Sequence, residues 1–179
     1  MIQNIDHAMD EFVQGYISAG ALTPIEFDSE WLSPCVQVSA NDGDYVDWKP
    51  VLQNGLCQFG DMEKALELTL DEQFKAFFCR YFSDHLEASS EHGNLTLLQV
   101  WNVDDFERLQ QNLIGHVLMK RQLKQAETLF FALTDEEDFI ISVDNASGRV
   151  VLEQVGKEPS KVLAENVAEF IASLRPLTR

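Results

Sequence analysis

Residues 128–155 read TLFFALTDEEDFIISVDNASGRVVLEQV, and this stretch decides the fold class of the chain. Its apolar runs, Thr128–Thr134, Phe139–Asp144 and Arg149–Val155, are rich in β-branched and aromatic residues, which is typical of strands. Asn145-Ala-Ser-Gly148 predicts a turn between the last two runs. Three neighbouring strands, with helical patterns elsewhere, predict an α+β fold with helices packed on a largely antiparallel sheet of about five to six strands.

Helical patterns flank this stretch on both sides. Residues Val103 to about Lys124 carry an apolar stripe at helical spacing, with acids in the first turns. Lys120 and Arg121 near the end of that stripe complement the helix dipole. The other predicted elements are helices over residues 3–19, Asp61–Leu68, Asp71–Phe82 and from Ser160 onward, with Asp61, Asp71 and Ser160 as N-caps, and strands at Cys35–Ser39, Tyr45–Lys49 and Leu95–Trp101. No linker or repeat interrupts the chain, so we expect one domain over residues 1–179.

The charge balance is strongly acidic. The chain of 179 residues has 13 Lys and Arg against 30 Asp and Glu, which gives a formal net charge of −17. Nucleic acid and anionic lipid surfaces are therefore unfavourable partners, because both bind through cationic faces. A basic macromolecule is the natural complement, although solubility alone would also explain the excess. The charges are unevenly spread along the chain, since residues 1–48 contain acids but no Lys or Arg at all.

Several short strings resemble one family in their order and spacing. They are Ser33-Pro34-Cys35, Phe59-Gly60-Asp61, Leu95–Trp101, Asp105–Arg108, Asn112–His116, Thr128-Leu-Phe130, Ile141-Ser-Val143, Asn145–Gly148 and Ala168–Phe170 with Leu174–Leu177. Over nearly the whole chain they resemble the Syd family, the SecY-interacting proteins of bacteria. The resemblance implies a fold related to SUKH-type immunity proteins and no catalytic residue or cofactor. It also implies a cytoplasmic protein, held loosely at the inner membrane through the channel subunit SecY, that monitors or restrains SecY when SecY is not properly assembled.

Acidic side chains are the leading candidates for contact with such a partner, because cytoplasmic loops of membrane proteins are rich in Lys and Arg. We expect three acidic groups to line one concavity, with two tryptophans that add contact area. The predicted partner-binding residues are Asp61, Glu63, Glu67, Asp84, Glu87, Glu91, Asp104, Asp105, Glu107, Trp48 and Trp101. Many single surface acids only solvate a face or cap a helix. If these acids are dispensable, the acid-only stretch before Lys49 is the next candidate.

Other kinds of site find little support in the sequence. The four histidines lack a metal-ligand spacing, the three cysteines form no Cys-x-x-Cys pair, and no glycine-rich stretch has the pattern of a phosphate-binding loop. His116 lies beside Leu113 and Val117 on the apolar side of its helix, which predicts a hydrogen-bonded core histidine. No catalytic, cofactor or metal site is therefore predicted.

Two alternatives to a SecY-binding protein stay open. The first is an immunity-type inhibitor whose acidic face blocks a basic toxin, and the second is a hydrolase that uses paired carboxylates. The segment Met1–Asp6 has no cationic start followed by an apolar run, and no apolar stretch approaches the length of a membrane span. We therefore expect a cytoplasmic protein that does not insert into the membrane.

Overall fold

The computed structural model describes the backbone of residues 2–178 and the side chains of residues 5–178. Within that part the chain forms five helices and eleven strands. In chain order they are α1 (Ile2–Ser18), β1 (Ile25–Glu26), β2 (Tyr45–Val46), β3 (Val51–Leu52), α2 (Gly60–Leu66), α3 (Glu72–Arg80), β4 (Tyr81–Phe82), β5 (Leu86–Ser90), β6 (Gly93–Leu97), α4 (Val103–Gln122), β7 (Thr128–Thr134), β8 (Phe139–Asp144), β9 (Val150–Gln154), β10 (Lys161–Ala164), α5 (Val167–Ala172) and β11 (Arg175–Pro176). Among these helices none is both long and apolar enough to cross a bilayer.

Seven strands form one antiparallel sheet in the order β10-β9-β8-β7-β6-β5-β11. This confirms the α+β class, and the sheet is larger than the five to six strands expected. The stretch from Thr128 to Val155 supplies its centre. Asn145, in the turn after β8, accepts a hydrogen bond from the Asp71 backbone N–H at 2.8 Å and donates to the Thr69 carbonyl at 2.9 Å. The sheet is thereby tied to the start of α3.

Helices cover both faces of this sheet, and two adjacent residues of β7 show it. The Phe130 ring contacts the His116 ring of α4 edge to face, with centroids 5.4 Å apart. The Phe131 ring contacts Phe77 of α3 at 5.2 Å and Phe170 of α5 at 5.8 Å. Because β7 is covered on both sides, its sequence is a continuous apolar run rather than an alternating one.

Helix α1 packs against α3 and α5. Its buried stripe includes Ile5, Met9 and Val13, at the spacing the sequence predicts. At the border of this contact Arg80 donates to both carboxylate oxygens of Asp10, at 3.0 and 2.7 Å, and the Tyr81 hydroxyl donates to Asp10 at 2.6 Å. The hydrogen bonds from Arg80, more than any other contact, hold the pKa of Asp10 below its usual value.

Most predicted elements are present, and several boundaries agree closely. The strands β7 and β8 have the predicted limits, and α4 ends two residues before Lys124. Asp71 caps α3 as predicted, since its carboxylate accepts from the Phe74 backbone N–H at 2.9 Å. The predicted strand at Leu95–Trp101 is shorter, because β6 ends at Leu97, and the strand predicted at 45–49 is confined to β2.

Four local predictions are wrong, and in two of them, the strand at Cys35–Ser39 and the end of α3, contacts distant in sequence override a local pattern. Cys35–Ser39 forms a turn and loop rather than a strand. Asp61 lies inside α2, whose N-cap is Phe59. Helix α3 ends at Arg80, and the next two residues pair with β3 as a strand.

The fourth correction concerns the C-terminal helix, which Ser160 does not cap. Ser160 instead comes directly before β10, the second strand of the β9–β10 hairpin, and its backbone N–H donates to the Leu152 carbonyl at 2.9 Å. Val162 then pairs with Val151 in the sheet, so Leu163 belongs to β10. Asn166 caps α5 by accepting from the Glu169 backbone N–H at 2.8 Å. The sequence analysis also did not predict β5.

Candidate partner-binding surface

Three adjoining depressions surround Trp31. One lies between the β1–β2 loop and Trp101 and measures about 320 Å³. The second is bounded by Leu32, Leu56 and Val103 and measures about 350 Å³, and the third contains Asp84 and Asp105 and measures about 220 Å³. Trp31 lines all three. We call their combined lining, drawn from residues 25–40, Leu56, 82–85 and 99–108, the Trp31 surface.

Side-chain hydrogen bonds connect the loop that carries Trp31 to the start of α4. The Ser33 hydroxyl donates to the Trp101 carbonyl at 2.6 Å and accepts from the Cys35 backbone N–H at 3.1 Å. From the other side, the Asn102 amide donates to the Leu32 carbonyl at 2.8 Å. These bonds explain why Cys35 begins no strand, and they fix the loop against the start of α4.

The tryptophans have different roles in this surface. Trp101 lines two of the depressions. Trp48 lines none of them and is buried; it packs edge to face on Trp101 at 5.7 Å and donates its indole N–H to the Thr23 carbonyl at 2.8 Å. The Arg108 guanidinium lies 5.4 Å from the Trp31 ring centroid. Trp48 therefore supports Trp101 from below, while Trp31 and Trp101 form the accessible surface.

Three of the predicted acids lie on the Trp31 surface. Asp104 is exposed and lines the second depression. Asp84 and Asp105 line the third, where Asp105 accepts from the Trp101 backbone N–H at 2.8 Å and pairs with Arg108 at 2.6 Å. The Asp105 side chain is only 13 % exposed, so it anchors the start of α4 as well as adding charge.

The remaining predicted acids line none of these three depressions. They are Asp61, Glu63, Glu67, Glu87, Glu91 and Glu107. Two of them have local partners: Glu63 pairs with Lys75 at 3.2 Å, and Glu87 accepts from the Thr96 hydroxyl at 2.9 Å. Glu91 and Glu107 are exposed on the β5–β6 turn and on α4. The described depressions thus bring Asp84, Asp104, Asp105 and Trp101 together, but not the α2 acids with them.

Further acids of this surface come from β1 and from the loop between β1 and Trp31. Glu26, Asp28 and Glu30 are exposed and line the depressions. The sequence signal for them is the stretch of 48 residues without Lys or Arg.

Gln99 also lines the third depression; it is 3 % exposed, and its Oε1 atom accepts no hydrogen bond from the residues that the structure describes. The site therefore offers more acceptors than the predicted residues alone.

A second charged site lies between α4 and β9, and the sequence analysis did not predict it. Lys120 donates to Glu153 at 2.8 Å and to the Lys157 carbonyl at 3.1 Å, and both members of the Lys120–Glu153 pair are buried. His116 lies 3.9 Å from the other Glu153 oxygen and 2.8 Å from the Thr128 hydroxyl. The prediction of a hydrogen-bonded core histidine is thus confirmed. Burial lowers the pKa of His116; the nearby Glu153 carboxylate opposes this shift, and Lys120 adds a smaller lowering effect.

Within residues 5–178, no three His, Cys, Asp or Glu side chains are grouped so that they could hold a metal ion. The three cysteines are free. Burial raises the pKa of Cys35 and Cys57 to about 11 and that of Cys79 to about 12, so these thiols are protonated at neutral pH.

Comparison with known proteins places the chain in a family. The family model described as Syd protein (SUKH-2) matches residues 3–176. A relative named Protein Syd from Alteromonas mediterranea is 50% identical over 179 residues, covering 99% of each chain. A Protein Syd from Pseudoalteromonas atlantica is 46% identical, covering 98% of this chain and 96% of the relative. A Protein Syd from Aliivibrio fischeri is 37% identical, covering 97% of each chain. The chain belongs to the Syd family.

Proposed function

We propose that the Trp31 surface binds Lys- and Arg-rich cytoplasmic loops of SecY, and that the protein thereby monitors or restrains SecY that is not properly assembled. The protein acts by binding rather than by catalysis, as one domain, and reaches the cytoplasmic side of the inner membrane only through SecY. Support for the partner comes from the family, and support for the surface comes from its charge.

The observation that carries this proposal is the charge of the three depressions. Six acids line them: Glu26, Asp28, Glu30, Asp84, Asp104 and Asp105. Arg108 is the single Lys or Arg among the described lining residues, and it already pairs with Asp105. A surface with unpaired carboxylates beside two tryptophan rings suits Lys and Arg, which bind carboxylates and stack on aromatic faces.

The immunity-type alternative has the SUKH-2 description of the family in its favour. It predicts tight binding to a soluble basic toxin and no affinity for SecY. The hydrolase alternative requires two acids in a closed, apolar-walled pocket. Asp84 and Asp105 instead line a surface depression in which Asp105 already forms an ion pair with Arg108.

A pull-down from detergent-solubilised membranes, read for SecY, tests the proposal. The test variant carries Glu26→Lys, Glu30→Lys and Asp104→Lys, which are exposed acids of the Trp31 surface. The control variant carries Glu11→Lys, Glu137→Lys and Glu158→Lys, three exposed acids that line none of the three depressions. Both variants change the net charge equally, so a general charge effect would weaken both.

We expect the wild-type and control proteins to retain SecY and the test variant to lose it. Retention should also decrease as salt rises, because exposed charges are screened beyond about 8 Å at physiological ionic strength. Native affinity in the test variant would show that the interface lies elsewhere. If none of the three proteins retains SecY, the proposal that SecY is the partner is wrong.

A further inference from the structure

The second depression of the Trp31 surface is apolar as well as acidic. Leu32, Leu56 and Val103 line it, with exposed fractions of 62, 63 and 44 %. Buried Phe82 is also among its lining residues. Exposed large apolar side chains are ordinary when they are scattered, but three around one depression indicate a contact site. We call this depression the Leu56 pocket.

The surroundings of the Leu56 pocket indicate the charge of its occupant. Its charged lining residues are Glu30 and Asp104, and no Lys or Arg lines it among the residues that the structure describes. The adjoining depressions add Glu26, Asp28 and Asp84. A segment that binds there therefore meets carboxylates as well as apolar side chains, so we expect basic residues beside its apolar one.

We infer that the Leu56 pocket holds one large apolar side chain, aromatic or long aliphatic, of a partner segment that carries Lys or Arg on both sides of it. This inference rests on the proposed function and adds a specificity determinant to it: charge alone does not select the segment. The apolar side chain fixes the register of the segment, since interface energy concentrates in central apolar anchors surrounded by polar contacts.

A pair of synthetic peptides tests the pocket independently of SecY. One peptide has Lys and Arg residues on both sides of a central Phe, and its twin has Ser in place of the Phe. We expect wild-type protein to bind the Phe peptide about tenfold more tightly, which corresponds to about 1.4 kcal/mol. That preference should persist at high salt, whereas the affinity for both peptides falls, because salt screens charges and not apolar contacts.

The pocket variant carries Leu32→Ser and Leu56→Ser, and the matched control carries Leu118→Ser, an exposed leucine of α4 that lines none of the three depressions. Thermal unfolding checks that each variant is folded. The pocket variant should bind both peptides equally, at the wild-type affinity for the Ser peptide, and the control should keep the Phe preference. Equal binding of both peptides to wild-type protein would overturn the inference, as would a Phe preference that survives in the pocket variant.

The same variants in the SecY pull-down separate the two proposals. If SecY binds the pocket variant as well as wild type but not the Glu26, Glu30 and Asp104 variant, the proposed function holds and the pocket inference fails. If no protein retains SecY but the Phe preference is present and lost in the pocket variant, the pocket is real and its partner is another basic protein. Dimers of wild-type protein that the pocket variant does not form would overturn the inference by making the pocket an interface between copies.

Discussion

The Lys120–Glu153 pair and the Trp31 surface place the same kinds of side chain in opposite surroundings. Lys120 and Glu153 are buried between α4 and β9 and neutralise each other at 2.8 Å. The acids around Trp31 are mostly exposed, and six carboxylates share one cation, Arg108. A buried charge needs an opposite charge inside the protein, whereas an exposed charge is free to pair with a charge on a binding partner.

We therefore expect the buried pair to serve folding, and we propose that the Trp31 surface serves binding. Removing a member of the buried pair should damage the fold, and removing an exposed acid should damage only recognition. The four predictions that follow test this division, from the largest expected effect to the smallest.

Lys120→Met should destabilise the protein by about 3–5 kcal/mol, because Glu153 would stay buried without a counter-charge. Urea unfolding followed by circular dichroism measures the change. Lys64→Met, an exposed lysine of α2, is the control and should change the free energy of unfolding by less than about 0.5 kcal/mol. Adding Glu153→Leu to Lys120→Met should recover most of the loss. A stable Lys120→Met variant would show that the pair is not structural.

Asp104 and Asp105 are adjacent acids in the first turn of α4, and they test the same division between folding and binding within one helical turn. Both interact with the same helix dipole, but only Asp105 accepts from the Trp101 backbone N–H and pairs with Arg108. Asp105→Ala should therefore cost about 1–2 kcal/mol more than Asp104→Ala, since it leaves a backbone donor unsatisfied. Equal free energies of unfolding would mean that Asp105 serves only as a surface charge.

His116 makes the stability of the α4–β9 contact depend on pH. Burial lowers its pKa in the folded protein, so the unfolded chain takes up the proton first as the pH falls below about 6.5. Stability should thus decrease as the pH falls through this value, with one histidine contributing less than about 1.4 kcal/mol per pH unit. His116→Gln should flatten this dependence. Exposed His7→Gln is the control, and an equal flattening there would contradict the assignment to His116.

Sequence reasoning recovered the centre of the fold because its signals are local. The runs from Thr128 to Val155 are strands by composition and turn chemistry, and α4 is a helix by its stripe and caps. Two of its failures, at Cys35–Ser39 and at the end of α3, lie where distant residues determine the local structure. The Ser33 hydroxyl donates to the Trp101 carbonyl, 68 positions away, and this contact lies beside the loop at Cys35–Ser39, where the sequence predicts a strand.

The same limit applies to the charged sites. From sequence, Lys120 is one more cation at the end of a helix, and Asp104 and Asp105 are alike. Only the packing of α4 on the sheet shows that Lys120 faces Glu153, which lies 33 positions away. The acids before Trp31 had a signal, the absence of cations over residues 1–48, but a charge run does not say which members share a surface.

Glu26→Gln with Glu30→Gln should have the smallest effect on stability and still matter for recognition. Both side chains are exposed, so we expect the free energy of unfolding to change by less than about 0.5 kcal/mol per substitution. Association with purified SecY should slow several-fold, because exposed charges steer the encounter more than they hold the complex. Stopped-flow association at low and high salt measures this, and the wild-type advantage should shrink as salt rises. An unchanged association rate would show that these acids do not contribute to partner binding. A large loss of stability would show that these exposed acids serve folding as well.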